Sequence, residues 1–357
     1  MIRVLVVEDS AVTREYLVYL LGQDPALQVV GTARDGLEAV AQAERLKPDV
    51  ILMDVYMPRM NGFEATRHIM ERIPTPIVIV SASVLRDEVA MTFEALKAGA
   101  LTVAQKPIGP DHPDQAESVR RLVETVKLMA EVKVVRRWPR SRDQGSGVRD
   151  RGELAVPRPL TPVPSPPQKI RLIAIGASTG GPQVVADILA RLPRDLAAPV
   201  LIVQHIAPGF TAGLAEWLGQ ATPLGVKLAE SGETARPGTV YLAPEGSQMG
   251  ITQAGRIRLT TKGSADDGFC PSASYLFESA AEAYGGAAIG ILLTGMGRDG
   301  AAGLKRLREV GGVTIAQDEE SCVIFGMPGE AIRLGAAQYV LPPQQISETI
   351  RGLVTRR

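Results

Sequence analysis

The sequence has few of the residues that would mark an exported or metal-stapled protein. Only two of its 357 residues are cysteine, Cys270 and Cys322. That excludes a disulfide framework and a zinc site of four thiolates, and it suits a reducing cytoplasm. There are three histidines, His68, His112 and His205, so an imidazole base has few places to be. Charge of one sign is also missing, because 39 Lys and Arg balance 39 Asp and Glu. No global field therefore exists to hold nucleic acid or an anionic membrane. Nor is there a long apolar run. The opening stretch Val4–Val7 is interrupted by Glu8 and Asp9, too short for an export signal or for a span of about 20 residues. The expectation is a cytoplasmic chain with no membrane insertion and no nucleic-acid partner. No repeat of fixed period is present, which sets aside solenoids and propellers.

What the chain does have is an ordinary globular composition, 45% hydrophobic and 22% charged, at a length that implies two domains or three small ones. A break falls between Arg136 and Gln168, where apolar periodicity gives way to proline, arginine and small polar residues. Seven arginines against three acids leave this stretch basic, and the prolines from Pro157 to Pro167 favour an extended, stiff spacer. It reads as a solvated tether, with a docking peptide for another protein as the alternative. The division is 1–131, a linker at 132–168, and 169–357.

In the first part, β-branched runs at Arg3–Val7, Gln28–Gly31, Val50–Met53, Ile77–Val80 and Leu101–Val103 alternate with amphipathic stretches at Val12–Leu21, Gly36–Leu46, Gly62–Glu71, Asp87–Lys97 and Asp114–Ala130. Five βα units in a row predict an α/β, doubly wound, five-stranded parallel sheet whose site lies at the carboxyl ends of its strands. The polar residues at those ends are Glu8 and Asp9, Asp54, Ser81, and Lys106 before Pro107. Three carboxylates brought together repel unless a cation sits among them, and hard oxygen donors suit Mg²⁺. A lysine and a hydroxyl opposite could bind an incoming phosphoryl oxygen. Acids at strand ends often merely cap helices.

With the loop Asp54-Val55-Tyr56-Met57-Pro58-Arg59-Met60-Asn61-Gly62, this set closely resembles the flavodoxin-like receiver domain of bacterial two-component response regulators. The resemblance implies that Asp54 accepts a phosphoryl group from a histidine kinase. It further implies that Glu8, Asp9 and Asp54 hold Mg²⁺ and that Ser81 and Lys106 sense the phosphoryl group. One departure stands out. Many receivers carry an aromatic switch residue three positions before the lysine, and here that position is Val103.

After the break, strands are predicted at Arg171–Ile175, Val200–Val203, Ala288–Leu293 and Val313–Ala316, with a β-hairpin around Thr239–Thr260. This is a second doubly wound, mainly parallel α/β domain. The first of these strands runs into Gly176-Ala177-Ser178-Thr179-Gly180-Gly181. A dinucleotide fingerprint fails there because Ser178 stands where the second glycine must let backbone approach a pyrophosphate. The G-x-S-x-G pattern of a nucleophile on a sharp strand-to-helix turn is satisfied, although serine is also a common helix cap. A serine nucleophile needs a base. His68 and His112 fall in the first domain, whereas His205 ends the strand Val200–Gln204 in the same domain as Ser178. For the orienting carboxylate both Asp299 and Asp318 follow apolar strands, and the glycine-rich loop Gly295–Gly300 favours Asp299. The order Ser, His, Asp differs from that of α/β-hydrolases.

Four segments of this domain resemble the chemotaxis protein-glutamate methylesterase (CheB) family: Gly176–Gly181, Gln204–Phe210, Leu293–Gly300, and Ala316–Asp318 through Gly326-Met327-Pro328. The resemblance implies a hydrolase with the triad Ser178, His205 and Asp299. It also implies an oxyanion donor at the Met296 amide, Thr179 beside the nucleophile and Asp318 as a structural acid. The substrate implied is glutamate γ-methyl ester, and glutamine, on the cytoplasmic helices of chemoreceptors, with no cofactor needed for hydrolysis. Members commonly read His-Arg-Pro-Ser-Val-Asp near the site, where this chain has Phe269-Cys270-Pro271-Ser272-Ala273-Ser274. Two other readings compete. A DNA-binding regulator is opposed by the lack of a compact basic helix-turn-helix unit. A non-catalytic scaffold of the same fold is opposed by the retained Ser178, His205 and Asp299.

Overall fold

The computed structural model describes residues 1–81, 86–109, 112–132, 134, 168–261 and 269–354, with the side chains of residues 86–90 left out. The stretch expected to be the linker lies almost wholly outside the described residues. The first part runs β1 (Ile2–Val7), α1 (Ala11–Gly22), β2 (Leu27–Ala33), α2 (Gly36–Leu46), β3 (Val50–Asp54), α3 (Gly62–Arg72), β4 (Ile77–Ser81), α4 (Arg86–Ala98), β5 (Thr102–Gln105) and α5 (Gln115–Ala130). Its five strands pair in the order β2-β1-β3-β4-β5, all parallel, as the alternation predicts. The sheet is covered on both faces, so Val4–Val7 of β1 and Val50–Met53 of β3 are fully buried. Helix starts follow local chemistry. Asp35 caps α2 by accepting from the Glu38 N–H, and Asn61 and Glu64 form a reciprocal capping box at α3.

The second part runs β6 (Leu172–Ala177), α6 (Gly181–Leu189), β7 (Val200–Gln204), α7 (Thr211–Ala221), β8 (Gly225–Leu228), β9 (Thr239–Leu242), β10 (Gln248–Ile251), β11 (Ile257–Thr260), α8 (Ala273–Tyr284), β12 (Ala288–Leu292), α9 (Ala301–Glu309), β13 (Val313–Gln317), α10 (Met327–Arg333), β14 (Tyr339–Leu341) and α11 (Pro343–Val354). Seven strands form one parallel sheet in the order β14-β13-β12-β6-β7-β9-β8. The four expected strands are its centre. The expected hairpin is smaller than the span Thr239–Thr260. Only β10 and β11 form it, while β9 joins the main sheet against β7. Sequence order hid this, because β9 carries the pattern of a hairpin strand and its partner lies about 40 residues earlier.

The sheets belong to separate parts of the chain, yet their helices share a buried apolar cluster. Phe93 of α4 stacks on Trp217 of α7 with ring centroids 5.3 Å apart and planes 22° from parallel. Val323 and Ile324, between β13 and α10, pack against the first domain's apolar cluster. Among the described residues, no helix is long and apolar enough to cross a membrane.

Candidate functional site

At the carboxyl edge of the first sheet, β1 delivers Glu8 and Asp9, and β3 ends at Asp54. A carboxylate oxygen from each can be chosen so that all lie within 4.8 Å of one another. Glu8 and Asp54 are buried and Asp9 is exposed. The Lys106 ammonium, just past β5, lies 2.7 Å from Glu8 Oε2 and 3.1 Å from Asp54 Oδ1. Ser81 ends the adjacent strand and its carbonyl accepts from the Lys106 N–H at 2.9 Å. Burial pushes the Asp54 carboxyl up to about 6; Lys106 opposes that shift and the Glu8 charge adds to it. Burial pulls the Lys106 ammonium down, but Asp54 and Glu8 outweigh it and hold it above the usual lysine value. Lys106 thus contacts two of the three clustered carboxylates, leaving an excess of negative charge in a hard oxygen set that fits a divalent cation such as Mg²⁺. Gly62 is needed here because a Cβ on it would fall 2.1 Å from the Asp54 carbonyl oxygen.

At the corresponding edge of the second sheet, β6 ends in a tight turn through Ser178, Thr179 and Gly180 into α6. Gly180 takes φ +77°, and a Cβ there would collide with Val323. Ser178 sits at the positive end of α6, and its backbone N–H donates to the Thr294 carbonyl at 3.0 Å. His205 follows β7, one strand away, and its N–H donates to the Ala177 carbonyl at 2.9 Å. Between them lies a residue that sequence reading missed. The buried Gln204 amide donates to the Ser178 carbonyl at 2.7 Å and to the His205 carbonyl at 2.9 Å, tying the backbones of both residues together.

Asp299 Oδ2 lies 2.9 Å from His205 Nε2, which leaves Nδ1 as the nitrogen available to a nucleophile. The carboxylate is fully buried. Oδ1 accepts from Ser272 Oγ at 2.8 Å, the Ser274 N–H at 3.0 Å and the Gly300 N–H at 2.8 Å, and Oδ2 accepts from the Ala273 N–H at 2.7 Å. Burial alone would push its pKa up, but His205 and these donors hold it well below the carboxylate range. Asp318 is elsewhere, accepting from the Ser321 hydroxyl. Ser272 and Ser274 were visible in the sequence only as part of a departing motif. Their work is to satisfy Asp299, and the Ser274 hydroxyl also accepts from the Gly300 N–H at 2.8 Å. Thr179 lies beside Ser178, where its carbonyl accepts from Thr294 Oγ1 at 3.0 Å. Met296 stands 42% exposed in the loop between β12 and α9.

The two edges meet. Ser178, Gly180, Pro182, Gln204, His205 and Ile206 line a narrow crevice whose other wall is the first domain's Leu96, Leu101, Thr102 and Val103. Val103, the residue in the aromatic switch position, is buried in that wall.

Known proteins match this arrangement along the whole chain. The response regulator receiver domain model matches residues 4–133 and the CheB methylesterase model residues 173–350. A protein-glutamate methylesterase/protein-glutamine glutaminase of Geobacter metallireducens is 49% identical over 100% of both chains. One from Syntrophus aciditrophicus is 50% identical over 98% of this chain and 97% of its own. Among solved structures, the CheB methylesterase catalytic domain of Thermotoga maritima aligns at 40% identity and a TM-score of 0.50, covering 52% of this chain and 99% of that one. A full-length set of relatives and two matched domains in the same order lead to one conclusion: the chain belongs to the CheB methylesterase family, a receiver domain followed by a methylesterase domain.

Proposed function

We propose that the protein is a phosphorylation-regulated protein-glutamate methylesterase and protein-glutamine glutaminase of chemotactic adaptation, in which Ser178, His205 and Asp299 form the catalytic triad. The observation that carries the assignment is the 2.9 Å contact between His205 and a buried, fully satisfied Asp299 at the sheet edge that also bears Ser178. His205 removes the Ser178 proton as the hydroxyl oxygen attacks the γ-carbonyl of a methylated glutamate on a receptor helix. The tetrahedral oxyanion is met by the Met296 N–H, with Thr179 at its flank and the positive end of α6 behind it. His205 returns the proton to the departing methoxide and methanol leaves. Water, deprotonated by the same imidazole, then hydrolyses the acyl-enzyme to glutamate. With glutamine the leaving group is ammonia. Asp299 stabilises the imidazolium formed in each half-reaction.

Regulation follows from β5. Residues Thr102 and Val103 wall the crevice, and Lys106, three positions on, contacts the phospho-acceptor Asp54. One short strand therefore joins the sensing lysine to the cover over Ser178. Glu8, Asp9 and Asp54 would hold Mg²⁺, and when bound it would supply charge neutralisation between the acceptor and the incoming phosphoryl group. The Asp54 carboxylate attacks the phosphorus of the kinase's phosphohistidine as the P–N bond breaks and the kinase imidazole leaves, while Lys106 leaves Glu8 for a phosphoryl oxygen and Ser81 donates to another. A few kcal/mol of differential stability between covered and open packings is enough to move the population from mostly closed to mostly open. The phosphodonor is a histidine kinase, and the site of action is the cytoplasm.

The test is methanol release from membranes bearing methylated receptors, comparing wild type with Ser178→Ala, each with and without Mg²⁺ and a small phosphodonor. Release that needs Ser178 and rises with phosphodonor is the expected result. No release by folded wild-type protein under any condition would overturn the assignment.

A further inference from the structure

The Asp299 contact does not by itself fix the plane of the His205 ring. It touches one edge, and neither ring nitrogen makes a well-directed hydrogen bond in the resting arrangement. An imidazole held at one edge can still tilt about that contact, and a general base a fraction of an ångström out of line loses much of its rate. The face of the ring, however, is covered. Phe269 stacks on it with centroids 4.5 Å apart and planes only 6° from parallel.

Phe269 is itself held. Its carbonyl accepts from Gln248 Nε2 at 2.6 Å, and Gln248 Oε1 accepts from the Ser272 N–H at 2.7 Å. Gln248 is fully buried on β10, so the hairpin grips both ends of the short segment Phe269–Ser272 through one amide. The far end of that segment supplies the Ser272 hydroxyl to Asp299. The near end supplies the phenyl face to His205. One face of the Phe269 ring is thus covered by His205, while the residue as a whole remains 39% exposed.

We infer that Phe269 is a positioning residue of the hydrolysis, a flat apolar wall that fixes the plane and tautomer of His205, clamped in place by the buried Gln248 amide. The inference rests on the proposed role of His205 as the base. With Nε2 turned to Asp299, the productive neutral tautomer carries its proton on Nε2 and offers Nδ1 to Ser178. Stacking opposes the tilt that would break this assignment. Planarity is the property that matters: tyrosine can supply it, and leucine, of similar bulk, cannot.

The full-length chain is compared as wild type, Phe269→Tyr, Phe269→Leu and Gln248→Leu, with two readouts. The first is kcat and KM, separately, for methanol release from methylated receptor membranes. The second is the nitrogen-15 spectrum of the imidazoles at a pH where they are neutral, which three histidines make simple and which His205→Gln assigns. Phe269→Tyr is expected to keep kcat and a single Nε2–H tautomer. Phe269→Leu is expected to lower kcat about tenfold with KM within about twofold, and to give His205 averaged shifts of two tautomers; Gln248→Leu should follow it in milder form. A leucine variant with wild-type kcat and an unaltered His205 spectrum would overturn the inference. So would a loss confined to KM, which would make Phe269 a substrate contact only. If wild type releases no methanol the functional assignment fails, and the spectrum still decides whether Phe269 orders the ring.

Discussion

The two sheet edges use the same geometry to opposite ends. Both place buried carboxylates at or just past the carboxyl ends of parallel strands, Glu8 and Asp54 in the first domain and Asp299 in the second. In the first domain the buried charge is undersatisfied: burial pushes Asp54 up to about 6, with one lysine against Glu8 and Asp54 in a cluster of three acids. In the second, Asp299 accepts from Ser272, Ala273, Ser274 and Gly300 and lies against His205, and its carboxyl stays ionised far below neutrality. An undersatisfied carboxylate responds to what arrives, a cation or a phosphoryl group. A satisfied one does not respond, and so can hold a base in a fixed place. The contrast separates a switch from a catalytic machine more sharply than the fold does, since both domains are doubly wound.

The strongest way to break this comparison is at Ser178, the proposed nucleophile. Ser178→Ala is expected to lower methanol release by about 10⁵-fold or more whatever the state of Asp54, measured in parallel with the phosphodonor present and absent. Next comes Asp299→Asn, which keeps the shape but offers an N–H where the imidazole needs an acceptor. It is expected to cost on the order of 10⁴ in kcat at neutral pH, by steady-state kinetics. The same residue predicts an acid limit. A carboxyl whose folded pKa is depressed contributes stability above its unfolded value near 4 and loses it as pH falls below that. Thermal unfolding between pH 5 and 2 should therefore fall less steeply for Asp299→Asn than for wild type.

A smaller effect tests the link between the domains. A chain beginning at Lys169, comparable in extent to the catalytic domain solved from Thermotoga maritima, should release methanol at least about tenfold faster than the unphosphorylated full chain. Phe93→Ala, which removes the stack on Trp217, should give part of that gain without truncation. Equal rates for all three would remove the crevice wall from the regulatory account. The smallest expected effect is thermodynamic. A raised carboxyl favours the folded state below its unfolded value and loses that advantage as pH rises through about 6. Without metal the first domain should be less stable at pH 7.5 than at pH 5.5. Mg²⁺ should raise its melting temperature clearly at pH 7.5 and much less at pH 5.5, read by calorimetry. Stabilisation independent of pH would mean that Asp54 does not carry the charge that the cation answers.

Much of this was legible in the sequence for a physical reason. Fully buried parallel strands such as Val50–Asp54 and Leu172–Ala177 read as unbroken apolar runs, and the polar residue that ends each run marks the sheet edge. That is why Asp54, Ser178 and His205 could be picked out one by one. The edge strands were not legible. β14 has three residues, and β8 has a glycine and a lysine among its four, so neither produces a run. Because both follow apolar strands, Asp299 is favoured over Asp318 by its glycine-rich loop and by the family resemblance; its place beside His205 is a matter of tertiary packing. Gln204, Ser272 and Gln248 escaped for a related reason. They act by satisfying backbone groups and a carboxylate brought from 21 to 27 residues away or across a neighbouring strand, and no local pattern records such a partnership.

The contact between Phe93 and Trp217 has an optical consequence. The chain has two tryptophans, Trp138 and Trp217, and the second is 8% exposed with its indole stacked on the ring of the other domain. An indole so placed emits in the blue part of its range, and water reaching it would shift that emission to the red. With Trp138 replaced by phenylalanine, the intrinsic fluorescence of a single residue would report domain separation in real time, with no label attached.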